Sequence, residues 1–219
     1  MTGARSILAI SAAGTLLGLL LGGALGMSTG YIGGVFDEVL MRVVDGLMSF
    51  PSLLLGLLVI TMAPPPSRWL PAWLAWDGLN VAITIGVVFT PHVARVVRSA
   101  TLPLKNMEFV QIARLRGEST PYILFMEILP NTLPVLHVEA AIRLSYAILL
   151  AASLGFLGLG VQPPSPDWGL MISEGREFVV NAPWVALVPA AAISSLVVGI
   201  NLLFDGVRQA QHLPKKRKA

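Results

Sequence analysis

Glu139 and Arg143 stand four residues apart in "LHVEAAIRLSYAILLAASLG", where the other ionisable side chains are His137 and Tyr146. On a helix they share a face, acid N-terminal to base, which is the favourable order for an ion pair. Arg143 falls near the middle of an apolar run, where a charge costs about 2.5–3.5 kcal/mol on insertion scales. Two readings stay open: the pair lines a watered pathway and meets the charged ends of a solute, or it is a structural bridge within or between subunits. A second cluster is "VQIARLRGESTPYILFMEILPN", Val110 to Asn131, which sets arginines, glutamates, a glycine and prolines between hydrophobic runs. Arg114 and Arg116 offer guanidinium donors to a partner's carboxylates or carbonyls. Gln111 can hydrogen-bond there without charge.

Other chemistry is absent from the pattern. His92 and His137 are isolated, whereas a metal site needs convergent ligands, so both read as packing or hydrogen-bonded histidines. The chain has no cysteine, which removes disulfides, thiolate ligands and cysteine catalysis. No serine, histidine and carboxylate arrangement suggests hydrolysis. No glycine-rich phosphate loop ends in Lys-Ser/Thr, so ATP is not bound in the Walker manner. The chain reads as non-catalytic, with no resident metal or cofactor. Its basic residues sit at helix ends and in the tail, which does not describe a nucleic-acid surface.

The elements that must position these residues follow from composition. The chain is 55% hydrophobic and 12% charged, with a mean hydropathy of +0.75. Several apolar runs reach the roughly 20 residues that cross a bilayer as helix. Short alternating strands, the mark of a β-barrel, are missing. The fold class is all-α integral membrane: one polytopic helical bundle over residues 1–219. Five spans are expected: Ser6–Met27, Val43–Ala63 with Pro51 inside it, Leu79–Val97, Thr132–Leu154 and Trp184–Phe204. Gly18, Gly22, Gly23 and Gly26 recur in the first span at the spacing that lets membrane helices approach closely.

Lys and Arg set the orientation. With the basic tail, 206–219, in the cytoplasm, the inner side also holds Arg42, Arg95, Arg98, Lys105, Arg114 and Arg116. The outer side holds only Arg5, Arg68 and Arg176. Five spans then put "MTGAR" outside, an end with little to translocate it. Either a preceding helix is missing, or residues 1–26 are a cleaved signal peptide ending in "GGALGM". Outside, Trp69, Trp73 and Trp76 suit the membrane interface. The outer Gly- and Pro-rich segment covers about 153–183, and its part Ser153–Gly169 reads as a re-entrant or surface-lying hairpin. Asp37, Glu38, Arg42 and Asp45 read as a solvated charged entry to the second span.

The inner segment, about 101–130, has its own local grammar. Asn106–Arg116 predicts a short helix with Phe109, Ile112 and Ala113 on one side. Gly117 suits the left-handed position that ends it. Ser119 or Thr120 then caps, Pro121 fits a first helical turn, and Pro130-Asn131 marks the entry to the fourth span.

"QIARLRGESTPYILFMEILPN" resembles the signature loop of binding-protein-dependent ABC importer permeases, written around E-A-A, a glycine and I-x-L-P. Ala113, Arg114, Gly117, Ile128, Leu129, Pro130 and Asn131 match; Gln111 replaces the usual glutamate and Ile112 the first alanine. "SLGFLGLGVQPPSPDWGLMISEGREFVVNAPW", "GYIGGVFDEVLMRVVDGLMSFPSLLL" and "NLLFDGVRQA" resemble the dipeptide, oligopeptide and nickel permeases of the DppC/OppC type. The resemblance implies the type I importer permease fold, with one more N-terminal helix in the family than here. It also implies a second permease subunit, two ATP-binding subunits that hydrolyse ATP, and an extracytoplasmic substrate-binding protein. Gln111, Ala113, Arg114, Arg116 and Gly117 would couple to the ATP-binding subunit. Substrates would be di- or oligopeptides, with nickel or another small solute as the alternative. The location would be a bacterial or archaeal inner membrane. Peptide permeases often show a glutamate where this chain has Ala151. An ATPase-independent secondary transporter would predict paired inverted repeats, which the sequence does not display.

Overall fold

A computed structural model of the chain describes residues 2–63, 76 and 78–212, all-helical between turns. Trp69, Trp73, Arg68 and the last basic residues lie outside the described residues. The elements are α1 (Thr2–Ile32), α2 (Gly34–Met48), α3 (Ser52–Met62), α4 (Leu79–Leu104), α5 (Glu108–Leu115), α6 (Thr120–Tyr122), α7 (Leu129–Phe156), α8 (Trp168–Gly175) and α9 (Trp184–His212). A π-helical segment, Ile123–Ile128, joins α6 to α7. Among the described residues four helical stretches are long and apolar enough to cross a membrane, Gly3–Ile32, Leu79–Leu104, Thr120–Phe156 and Trp184–Gly206, or five where the bent pair α2 and α3 is taken as one span.

The expected second span is not one helix. It breaks at Ser49–Pro51, and α2 and α3 meet at 100°. Pro51 has no N–H to continue the ladder and restricts the residue before it. The Ser49 hydroxyl instead donates to the Gly46 carbonyl at 2.7 Å, closing off α2. The fourth span also differs from expectation. Helix runs without interruption from Thr120, so Pro130-Asn131 is not an entry point. The π-turn explains this: the Leu129 N–H reaches the Leu124 carbonyl, five residues back. That wider turn relieves the clash between a proline ring and the carbonyl four residues before it. The Asn131 side-chain amide donates to the Glu127 carbonyl at 2.7 Å, supplying a donor beside the proline.

The centre of the bundle is the pair α1 and α4. Gly14, Gly18, Gly22, Gly26 and Gly30 all face α4, and a Cβ on any of them would press on its backbone or on Ile85, Phe89, Val93, Val97 or Thr101. Gly23 is turned away, towards Leu136 of α7. Two apolar clusters stack along this axis. One, around Ile85, Val88, Ile148 and Leu154, joins α1, α4 and α7. The other, Met27, Val93, Val97, Val110, Ala113, Ile123 and Ile128, closes the end of the bundle that carries α5.

At the opposite end the segment after α7 folds back as a hairpin. Asp167 caps α8 by accepting from the Leu170 N–H at 3.0 Å and also accepts from the Val161 N–H at 3.3 Å. Gly155 and Gly160 leave room for that carboxylate. Among the described residues α9 is the least buried of the long helices. The Ser145 hydroxyl of α7 donates to its Asn201 at 2.9 Å.

Candidate functional site

Two regions gather the residues singled out from the sequence. The first is the α5 end of the bundle. α5 ends in a Schellman motif: the Gly117 N–H donates to the Arg114 carbonyl at 2.9 Å, and the Glu118 N–H to the Ala113 carbonyl at 3.2 Å. Gly117 has φ +78°, the left-handed region, and open space where a side chain would stand. Ser119 occupies the N-cap position of α6, though neither it nor Thr120 makes a side-chain cap bond.

α5 is anchored by one face only. Val110 and Ala113 are fully buried in the second cluster. The expected side of Phe109, Ile112 and Ala113 is therefore wrong at Ile112. A step of three residues from Val110 reaches Ala113, whereas Ile112 and Leu115 share the outward face, with Leu115 87% exposed. The Gln111 amide donates to the Asn106 carbonyl at 3.0 Å, back along its own loop. Arg114 does not project freely. Its Nε donates to the Tyr31 hydroxyl at 3.0 Å, and its guanidinium lies 4.7 Å from that ring's centre. Arg116 lies 3.8 Å from Glu118 and 3.6 Å from Glu127. Both arginines thus brace the loop against α1 and the π-segment, leaving an apolar outer face with Gln111 beside it.

The charges before the second span are not simply solvated. Asp37 is buried and receives two hydrogen bonds from Arg98, both 2.5 Å. Asp45 pairs with Arg95. Those pairs tie α2 to α4. No local pattern announces them, because each partner lies in a different element.

The second region lies midway along α7. Glu139 and Arg143 do pair: Arg143 Nε donates to Glu139 Oε2 at 2.9 Å, with side chains 8% and 16% exposed respectively. Arg143 also sits over the Phe89 ring, 5.8 Å from its centre. The guanidinium lines an open cleft of about 510 Å³ between α3, α4 and α7, together with Ser52, Phe89, His92, Tyr146 and Ser153. Glu139 is behind this wall and does not line it. His92, read from sequence as a packing or hydrogen-bonded histidine, is half-buried, with Nδ1 3.3 Å from the Val88 carbonyl. Its place in the cleft was not legible because α3 and α7 supply most of the rest of the wall. Among the described residues no group of three or more His, Asp or Glu side chains could hold a metal.

The pattern described as "Binding-protein-dependent transport system inner membrane component" matches residues 14–212. The dipeptide transport system permease protein DppC of Alkalihalophilus pseudofirmus is 37% identical over 208 residues, 95% of this chain and 65% of that protein. The glutathione transport system permease protein GsiD of Pectobacterium atrosepticum is 38% identical over 210 residues, 96% of this chain and 66% of its own length. The chain therefore spans just under two thirds of either relative. Among solved structures, a chain of the inward-facing MetNI methionine ABC transporter superposes with a TM-score of 0.70 at 20% identity, covering 95% of this chain and 94% of that one. At that identity the likeness speaks for the fold, and the fold is the one the signature loop implied. With the family pattern running from the first glycines of α1 to the end of α9, the chain belongs to the binding-protein-dependent transport system inner membrane components.

Proposed function

We propose that this chain forms half of the translocation pathway of an ATP-driven importer of short peptides. A second permease supplies the other half, two ATP-binding subunits drive the pair with one of them seated against α5, and a binding protein delivers substrate to the opposite end. The observation that carries this reading is continuity. One helical stretch, Thr120–Phe156, joins the α5 loop to the Glu139–Arg143 cleft, so a push on the loop moves the cleft wall. The exposed Ile112 and Leu115 give a partner an apolar surface, and the Arg114 and Arg116 contacts keep that surface stiff enough to transmit force. The dipeptide and glutathione relatives support a peptide substrate. Arg42, Arg95, Arg98, Lys105, Arg114 and Arg116 belong to the loop side and Arg5 and Arg176 to the other, which supports a cytoplasmic loop and C-terminus in a bacterial or archaeal inner membrane.

The test is co-purification of the co-expressed complex. Leu115→Glu places a charge on the outward face without touching the buried one. It should reduce recovery of the ATP-binding subunits at least tenfold while the second permease is retained. Unchanged recovery of both would sink the docking assignment.

A further inference from the structure

The middle of the bundle shows its donors to the cleft and hides its acceptor. Arg143 and His92 lie near the midpoints of α7 and α4. At about 1.5 Å of rise per residue that is roughly 20 Å from either end of each helix. A guanidinium at such depth is not matched by lipid. Glu139 neutralises it through Nε only, and the structure gives the terminal nitrogens no hydrogen-bonding partner among the described residues. These nitrogens carry four N–H groups in the planar fork that fits a carboxylate. With Nδ1 against the Val88 carbonyl, the other ring nitrogen of His92 also remains without a described partner. Tyr146 and Ser52 add hydroxyls, whereas that of Ser153 already donates to the Leu149 carbonyl at 2.8 Å. Among the described residues no carboxylate lines the wall.

We infer that this cleft binds the carboxylate of the passing solute, with Arg143 as the specificity-determining residue and Glu139 as its positioning residue. The inference rests on the peptide-importer reading and adds which end of the peptide this subunit takes. The same wall disfavours a free metal cation, since a guanidinium faces it and the one nearby carboxylate is turned away. Glu139 holds the guanidinium by its Nε edge beside the Phe89 ring, which leaves the two terminal nitrogens for a ligand.

The experiment uses the assembled complex in nanodiscs, without the binding protein, so that only the pathway is read. Leu149→Trp places a fluorophore on the cleft wall. L-alanyl-L-alanine and its C-terminal amide are titrated, and uptake of the dipeptide is measured separately in proteoliposomes with the binding protein present. The free acid should give a saturable signal at least tenfold tighter than the amide. The double variant Glu139→Gln with Arg143→Met, which removes both charges together, should bring the acid to the amide's level. Arg143→Lys, which keeps the charge and the bridge but loses the fork, should fall between them; it carries the test if the double variant does not assemble. Equal binding of acid and amide, or no saturable binding of either, overturns the inference while dipeptide uptake leaves the importer reading standing. Absence of dipeptide uptake by the unaltered complex removes that reading as well.

Discussion

Gly117 separates backbone effects from packing effects at a single residue. Its φ is +78° and a Cβ there would meet nothing within 4 Å. A side chain therefore brings no clash with neighbours, only the left-handed penalty of about 1–2 kcal/mol. That penalty is largest for a β-branched residue and smallest for asparagine. Gly117→Val should insert and assemble yet lose most substrate-stimulated ATPase activity, at least tenfold, because the Schellman turn that aims α5 is distorted. Gly117→Asn should stay within about threefold of the unaltered protein, the scale of about 0.65 kcal/mol. Full coupling in the valine variant, measured in the reconstituted complex, would count against the loop's role. This position was legible in the sequence, since helix, glycine and restart lie within a dozen neighbours. The Glu139–Arg143 bridge was legible for the same reason. The bracing of Arg114 was not: Tyr31 is 83 positions away, and no local pattern announces it.

For the elements, the glycines of α1 were readable as a packing face, but the partner and the register were not. Spacing alone grouped Gly23 with Gly18, Gly22 and Gly26; the structure sorts them by direction. Gly26 lies against the Ala94 carbonyl and the Arg98 N–H of α4, which are backbone atoms and cannot yield. Gly23 has only the flexible end of Leu136, at 3.5 Å. Gly26→Ala should thus force α1 and α4 apart, and Gly23→Ala should fit. The expected readout is a lower thermal midpoint of the purified complex for the first substitution and no change for the second. Equal midpoints would show that α1 and α4 do not touch along this face. The two breaks misjudged from sequence, at Ser49–Pro51 and at Pro130, share a cause. A proline announces a disturbed ladder, yet whether the chain turns by 100° or absorbs the ring in a π-turn depends on packing around it. Ile123 and Ile128 are fixed in the second apolar cluster and hold the helix straight, whereas the corner at Phe50 is exposed and free to turn.

Across the whole molecule, α2 is the link that sets the width of the cleft. It begins at Gly33 and Gly34, with φ +72° and +62°, and ends at the 100° corner beyond which α3 supplies Ser52 and Leu53 to the cleft wall. Between those two joints it is held to α4 by Asp37–Arg98 and Asp45–Arg95. The second pair is half-exposed on both sides, and such pairs contribute only about 0–1 kcal/mol. The first is the stronger clamp, because Asp37 is buried and receives both hydrogen bonds from one guanidinium. Asp37→Asn leaves Arg98 without its counter-charge, so α2 should loosen and carry α3 with it. Exchanging the charges, Asp37→Arg with Arg98→Asp, should restore much of the hold if attraction is what matters. The chain has no cysteine of its own, so spin labels can be placed singly on the exposed positions Arg42 and Ser99. A narrow distance distribution is expected for the unaltered clamp, a broad one for Asp37→Asn, and a narrowed one for the exchanged pair. Dipeptide uptake should fall and recover in step. An unchanged distribution in Asp37→Asn would mean that apolar contacts such as the buried Val44 hold α2 by themselves, and the cleft would then be set without the clamp.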